Sequence, residues 1–369
     1  MAYDVALLPG DGIGPEVVAE TVRVLERVEA LSGGEVALRF ETYEVGAGAW
    51  LRTGEAISDE AFAACRAADA MLLGAAGLPE ARHPDGREAG SDAMFRLRFG
   101  LDLYAGIRPV RLYPGCPSPL RDPGAGIDYV IVRENVEGLY AGRHGGSRVE
   151  GEVATDTSIV TRAGTRRIVE QAFVLAASRS GAPADGVSRV TCVDKANVLA
   201  SYAFFRAVAT EVAAAHPGIA FEAVYVDAAA LYLVQRPSTF DVLVAENMFG
   251  DILSDLGAGT VGGLGLSPSG DVGDEHGLFQ ASHGSAPDIA GRGVANPIAT
   301  ILSAGMMLDW LGRRHADEAA VRAARWVDNA VANALADGSA LTADLGGSAG
   351  TIEAGAAVLR ALDAVATSA

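Results

Sequence analysis

LLPGDGIGPEVV, residues 7–18, sets Gly10, Gly12 and Gly14 in a single turn between an apolar run and a helix-like one. Two readings of it lead to different folds. A dinucleotide-binding loop needs G-x-G-x-x-G between a strand and a helix, with an acidic residue about 20 positions further on for a ribose hydroxyl. Here the third glycine comes one residue too early, and Pro15 stands where the fingerprint asks for glycine. Proline there suits the first turn of a helix, where its missing N–H costs nothing. The other reading is a tight strand-to-helix turn, and the rest of the chain has to arbitrate.

The chain has 369 residues, more than one compact core usually holds, so two domains or two lobes sharing a sheet are expected. Half of the residues are hydrophobic and 21% are charged, which is the composition of an ordered globular protein. The formal net charge is −18. That field repels nucleic-acid phosphates and anionic membranes, so neither is expected as a partner. An anionic substrate would need a local cluster of arginines. Cys65, Cys116 and Cys192 stand apart from one another without metal-site spacing, which suits a reducing cytoplasm. The start, MAYDVALLPG, has no basic leader before an apolar core, and no run reaches the roughly 18 apolar residues of a membrane span. A cytoplasmic protein is expected.

Short β-branched runs alternate with alanine-rich helical stretches: VALL near the start, AMLLGA at 70–75, DYVIVREN at 128–135, SRVTCVDK at 188–195 and FDVLVAEN at 240–247. Continuous apolar strands separated by helices predict an α/β fold with a largely buried sheet. Helices are expected at 15–31, 58–67, 91–103, 161–180, 197–215, 250–257, 296–313, 317–336 and 351–366. The stretch 259–277, GTVGGLGLSPSGDVGDEHG, is too rich in glycine for a regular element and reads as a mobile or ligand-covering loop.

Four groups of residues could carry chemistry. Asp251 and Asp255, in NMFGDILSDL, lie four apart and so on one helical face. Two like charges there call for something positive, and a hard divalent cation, Mg²⁺ or Mn²⁺, fits. Acids in a helix's first turn also favour its macrodipole, which is the competing reading. Asp227, at the end of FEAVYVDAAA, supplies a third carboxylate at the C-terminal end of an expected strand, where α/β proteins place their sites. Arg98, Arg108 and Arg133 stand at element ends and offer planar forks for carboxylates, or else serve as ion-pair partners in an acidic chain. Tyr140 and Lys195 follow strand-like segments. Beside a metal and arginines they could exchange protons, with neighbouring positive charge lowering their pKa values; taken singly they are ordinary surface or core. Finally, HGSAPDIAGRGVANP, residues 283–297, could wrap an adenosine, with Asp288 accepting from ribose hydroxyls; as a bare pattern it is a glycine-rich loop.

Together, LLPGDGIGPEV, LDLYAGIRPVR, VRENVEGLY, DKANVL, NMFGDILSDL and HGSAPDIAGRGVANPIAT resemble the β-decarboxylating dehydrogenases of (2R)-malate-type acids, the family of isocitrate, 3-isopropylmalate, homoisocitrate and tartrate/D-malate dehydrogenases. The resemblance runs along nearly the whole chain. It implies that the opening stretch is a turn bordering an active cleft and that the fold is not a Rossmann domain but a two-domain α/β fold sharing a large mixed sheet. The expected division is a discontinuous cofactor-side domain, 1–104 with 262–369, and an inserted domain, 105–261, for substrate, metal and dimerisation.

Carried over by motif, the resemblance makes Tyr140 and Lys195 the acid–base pair and Arg98, Arg108 and Arg133 the substrate clamp. Asn197, Val198, Met94 and Phe95 also fall at substrate-binding positions. Asp227, Asp251 and Asp255 become ligands of Mg²⁺ or Mn²⁺. NAD is expected on the loop of His283, Gly284, Ser285, Ala286, Asp288 and Asn296. A homodimer is implied, with Lys195 and Asp227 reaching into the partner's cleft and an arm between Tyr140 and Ile159 packed on the partner. The implied reaction passes hydride from C2 to NAD⁺ and then releases CO₂, with Lys195 taking the hydroxyl proton and Tyr140 returning one. Asp288 favours NAD⁺, since an acid repels a 2′-phosphate. Met94 and Phe95, one turn before Arg98, offer an apolar wall to a 3-alkyl group and point to 3-isopropylmalate, as in leucine biosynthesis; a rotated helix would make them plain core. Tartrate, D-malate and homoisocitrate are the alternatives for substrate. A dicarboxylate-binding pseudoenzyme is the non-enzymatic one.

Overall fold

The computed structural model describes residues 1–368 and divides into two compact units. The first comprises Met1–Leu103, Tyr113–Pro117 and the chain from Gly262 onward; the second comprises Tyr104–Leu112 and Ser118–Val261. In chain order the first unit opens with β1 (Ala2–Gly10), α1 (Gly14–Leu31), β2 (Ala37–Thr42), α2 (Ala47–Thr53), α3 (Asp59–Ala67), β3 (Ala70–Ala75) and α4 (Ser91–Gly100). The second holds β4 (Ala105–Arg111), β5 (Asp128–Glu134), one-turn α5 (Gly138–Ala141), the hairpin β6 (Ser147–Val149) and β7 (Val153–Thr155), and α6 (Arg162–Ser178). It continues with β8 (Arg189–Asp194), α7 (Ala200–Ala213), β9 (Ala220–Tyr225), α8 (Val226–Gln235), β10 (Val242–Ala245) and α9 (Asn247–Thr260). Back in the first unit come β11 (Pro268–Val272), β12 (Gly277–Ala281), α10 (Ile298–His315), α11 (Glu318–Ala336) and α12 (Thr351–Ser368).

The architecture is mixed α/β. In the first unit the strands run β2-β1-β3-β12-β11, parallel except that β11 is antiparallel to β12. In the second they run β4-β5-β10-β8-β9, with β4 antiparallel to β5 and the others parallel. Each unit has its own core. Leu8, Leu73, Leu97, Leu103 and Leu278 lie at the centre of one, and Tyr129, Ile131, Phe240 and Leu243 at the centre of the other. Strands covered on both faces read as continuous apolar runs, and AMLLGA in β3 is buried at every position.

The opening turn is a packing device. Gly10 and Gly12 have φ of +72° and +58°, and a Cβ on them would stand 1.8 Å from the Ala75 carbonyl oxygen and 1.9 Å from that of Ser285. A Cβ on Gly14 would lie 2.1 Å from the Pro9 carbonyl oxygen. Glycine is required because backbone meets backbone here. Asp11, buried in the turn, accepts from the N–H groups of Ala47, Gly48 and Gly77 at 2.7, 2.8 and 2.8 Å. Pro15 falls in the first turn of α1, where no N–H is needed.

Two expectations need correction. The stretch 259–277 is ordered: a 3₁₀ turn at Leu264–Leu266 leads into β11, which is buried throughout. Its small residues serve packing, since a Cβ on Gly270 would meet the Phe279 ring of β12 at 2.9 Å. The run FEAVYVDAAA is also split. The strand ends at Tyr225, and Asp227 lies in the first turn of α8, whose alanines favour helix.

Candidate active site

In the second unit, α9 lies against β5 and β4 because two of its glycines permit it. A Cβ on Gly250 would stand 2.7 Å from Cβ of Arg133, and one on Gly257 would stand 2.7 Å from the Tyr129 hydroxyl and 2.9 Å from Val110. This close approach brings the acids of α9 to the arginines of the strands. The Arg133 Nη1 donates to Asp251, and its Nε and Nη2 donate to the side-chain oxygen of Asn247 at 3.0 and 2.8 Å. The Tyr140 hydroxyl donates to the other Asp251 oxygen at 3.1 Å, and the Arg133 guanidinium lies 5.5 Å from the centre of the Tyr140 ring.

Burial and the neighbouring Asp251 push the Asp255 carboxyl up, opposed by Arg108 and Arg133, so the four residues form one electrostatic group. Asp251 and Asp255 are the fifth and ninth residues of α9, and no acid occupies the helix's first turn. The macrodipole reading therefore has no purchase on them. Burial and Asp251 also raise the Tyr140 hydroxyl, with Arg133 opposing. In the metal-free protein the Tyr140 hydroxyl is thus a donor to Asp251; the expected lowering is one beside a metal ion.

Lys195 follows β8, where buried Asp194 accepts from Arg206 Nε and Nη2 at 2.7 and 2.8 Å and from the Ala196 N–H at 2.8 Å. The turn so fixed presents the Lys195 ammonium, which donates to Asp227 at 2.5 Å. Lys195 is also the only lysine in the sequence. Asn197 and Val198, next in the turn, are exposed, Val198 by 67%. Among the described residues of this single chain no three His, Cys, Asp or Glu side chains are gathered for a metal ion, so Asp227 is not brought to Asp251 and Asp255.

The remaining candidates belong to the first unit. Arg98 is buried on α4 and ion-paired through Nε and Nη2, both at 2.9 Å, with wholly buried Asp271 of β11. Met94 packs against the core beside Leu97, while half-buried Phe95 stacks on Phe99 with centroids 6.1 Å apart. Following β12, the His283 loop rests on the opening turn. The Ile13 N–H donates to the Ser285 carbonyl at 2.8 Å, the Ser285 hydroxyl donates to the Gly77 carbonyl, and Ala286, at φ +38°, packs with Ile289 on Ile13 and Val17. Gly284 and Asp288 are exposed. Nδ1 of His283 lies 2.9 Å from the Gly284 carbonyl, its Nε2 is buried without a partner, and burial lowers its pKa. Asn296 is engaged within the fold, donating to Asp344 at 3.1 Å and accepting from the Ile298 N–H at 3.0 Å.

Sequence reasoning passed over Asn247, Glu134, Asp194, Arg206 and Asp271. Three of them lie inside quoted motifs, but Asn247 and Asp271 meet Arg133 and Arg98 only across 114 and 173 positions of chain, which no local pattern marks, and a carboxylate that accepts from nearby backbone N–H groups, as Glu134 does, has no sequence signature of its own. Glu134 is buried, accepts from the N–H of Val136 at 3.1 Å and of Glu137 at 2.6 Å, and is pushed up to about 7 by burial.

The profile described as "Isocitrate/isopropylmalate dehydrogenase" matches residues 4–358. The chain belongs to this family. It is 43% identical over 352 residues to a "3-isopropylmalate/3-methylmalate dehydrogenase" of Methanocaldococcus jannaschii, covering 95% of this chain and 96% of that one. With a "3-isopropylmalate dehydrogenase" of Thermobifida fusca it shares 45% identity over 339 residues, 89% and 90% of the two chains. The crystal structure of an isocitrate dehydrogenase from Methylococcus capsulatus superposes with a TM-score of 0.84 at 35% identity, covering 98% of this chain and 99% of that one. Within this family fold, no described helix is long and apolar enough to cross a membrane.

Proposed function

We propose that this family member is a metal-dependent dehydrogenase that oxidatively decarboxylates a (2R)-hydroxy diacid, with NAD⁺ as hydride acceptor and 3-isopropylmalate or a related 3-alkylmalate as substrate. The observation that carries the reading is the convergence of Arg133 and Tyr140 on Asp251, with Asp255 one turn further along. Two carboxylates one helical turn apart, Asp255 raised by burial and then by Asp251, are a hard oxygen donor set suited to Mg²⁺ or Mn²⁺. Asp251 and Asp255 would hold the ion, with Asp227 coming from a second copy of the chain in a homodimer. When bound, the ion supplies Lewis-acid polarisation of the substrate hydroxyl and NAD⁺ supplies the hydride acceptor.

The protein's own groups bind and move protons. Arg108 and Arg133 grip the substrate carboxylates through planar forks. Lys195, once deprotonated at Nζ, takes the substrate hydroxyl proton; an arginine could not, being permanently charged. Tyr140, protonated in its desolvated position, gives its hydroxyl proton to carbon after CO₂ has left. In the His283 loop the unpartnered Nε2 is a buried acceptor and Asp288 an exposed carboxylate, a pair that fits the amino group and ribose hydroxyls of an adenosine. Asp288 disfavours the 2′-phosphate of NADP⁺.

For the substrate, the names of the curated relatives favour a 3-alkylmalate. Met94 being engaged in the core leaves Phe95 as the apolar contact, which favours a smaller 3-substituent or D-malate as second reading. The test is kcat/KM by NADH absorbance, with Mn²⁺, for 3-isopropylmalate, 3-methylmalate, D-malate, tartrate, homoisocitrate and isocitrate. A 3-alkylmalate is expected to lead the series. A tricarboxylate in first place would defeat the apolar contact, and silence across the panel would leave a diacid binder.

A further inference from the structure

Asn247 is the first residue of α9 and is wholly buried. Its side-chain oxygen accepts from Nε and Nη2 of Arg133 at 3.0 and 2.8 Å, which settles the plane of the guanidinium and directs Nη1 to Asp251. Its amide nitrogen donates in the other direction, to the backbone carbonyl of Glu137 at 3.0 Å. Glu137 lies three residues before Tyr140, and its own N–H is held by the buried Glu134 carboxylate at 2.6 Å. The loop that delivers the Tyr140 hydroxyl to Asp251 at 3.1 Å is therefore tied to the same amide that orients Arg133.

We infer that Asn247 is a positioning residue that keeps the Arg133 fork and the Tyr140 hydroxyl in register on Asp251. The inference rests on the functional reading above, in which Arg133 binds substrate and Tyr140 donates a proton. Only a neutral amide serves both sides: one atom must accept from a cation while the other donates to a carbonyl. A carboxylate at 247 would still hold Arg133, but its second oxygen would face the Glu137 carbonyl, acceptor against acceptor. An alanine would hold neither and would leave buried donors of Arg133 without this acceptor.

Two variants thus separate the two ties. Asn247→Asp, which keeps the shape, is expected to bind the diacid with a KM within about threefold of wild type while kcat falls about tenfold or more, the scale on which lost outer support is felt. For Asn247→Ala, KM should rise and kcat fall, each by about tenfold or more. A second readout avoids turnover altogether: titration calorimetry of malonate, an unreactive dicarboxylate, into protein without nicotinamide. Binding should be near wild type for Asn247→Asp and weakened about tenfold for Asn247→Ala. Melting curves ensure that kinetics are taken on folded protein. Wild-type kcat in Asn247→Asp, or wild-type malonate binding in Asn247→Ala, would overturn the inference, whatever the loss of melting temperature. If wild type itself turns over no diacid, the dehydrogenase reading fails, and the malonate arm still decides whether Asn247 supports Arg133.

Discussion

Every strong base in this chain but one is an arginine, and the exception, Lys195, donates to Asp227 at 2.5 Å. Arginine keeps its proton at any physiological pH, whereas an ε-amine can give it up. If Lys195 carries a proton, Lys195→Arg should lower kcat by about 10²–10⁴-fold with the positive charge intact, and added ethylamine should restore part of the rate to Lys195→Ala. A Lys195→Arg enzyme of wild-type rate would reduce the residue to a charge. Lys195, Tyr140 and the two acids of α9 were open to reading because each lies in a short motif with meaningful spacing. Asn247 sits in the same NMFGD stretch and gave no such sign. Its partner Arg133 is 114 positions away, and hydrogen bonds over that distance exist only once the chain has folded.

The pairing of α9 with β5 is the element on which the site depends, and glycine controls it. Gly250→Ala would gain about 1 kcal/mol of helix propensity. Against this, a Cβ 2.7 Å from that of Arg133 forces the helix or the strand to move, a type of overpacking that costs about 1–3 kcal/mol. Gly259, in the last turn of the same helix, has open space where its Cβ would be. Gly250→Ala should therefore lower the urea midpoint or leave it level while raising KM for the diacid, and Gly259→Ala should raise the midpoint with KM unchanged. A rise in midpoint for both, with KM constant, would show that the approach of α9 to Arg133 is not tight. Among the elements, the long helices were legible from their 3.6-residue periodicity, with ends shifted by a few residues. β11 and α8 were not. Glycines needed against Phe279 look like loop glycines, and a short apolar run carries no period that separates strand from helix.

At the scale of the whole molecule, a carboxyl buried in the fold couples stability to pH. Glu134 is pushed up to about 7 from 4.5, first by burial and then by Glu137, against the Val136 and Glu137 N–H groups and Arg167. Below about pH 4.5 the group is protonated in both folded and unfolded chains. As pH rises from there to about 7, the unfolded chain releases this proton and the folded one retains it, so stability falls, by on the order of 3 kcal/mol in total, and then levels. Glu134→Gln should lack this component. Its stability relative to wild type, from urea midpoints, should climb between about pH 4.5 and 7 and stay flat above. Parallel curves would assign Glu134 an ordinary carboxyl.

The sequence by itself determined what local geometry determines: an α/β class from alternating apolar runs and helical periods, Asp251 and Asp255 on one face because 3.6 residues make a turn, and a motif set specific enough to identify the family. Only the tertiary structure decided what the opening glycines are for, since their purpose is room for the carbonyls of Ala75 and Ser285, far along the chain. It also decided that Met94 turns into the core, that Arg98 is ion-paired with Asp271, and that one buried amide ties Arg133 to the loop of Tyr140. A close contact depends on which surfaces the fold brings together. A motif records one side of that contact and leaves the other side unnamed.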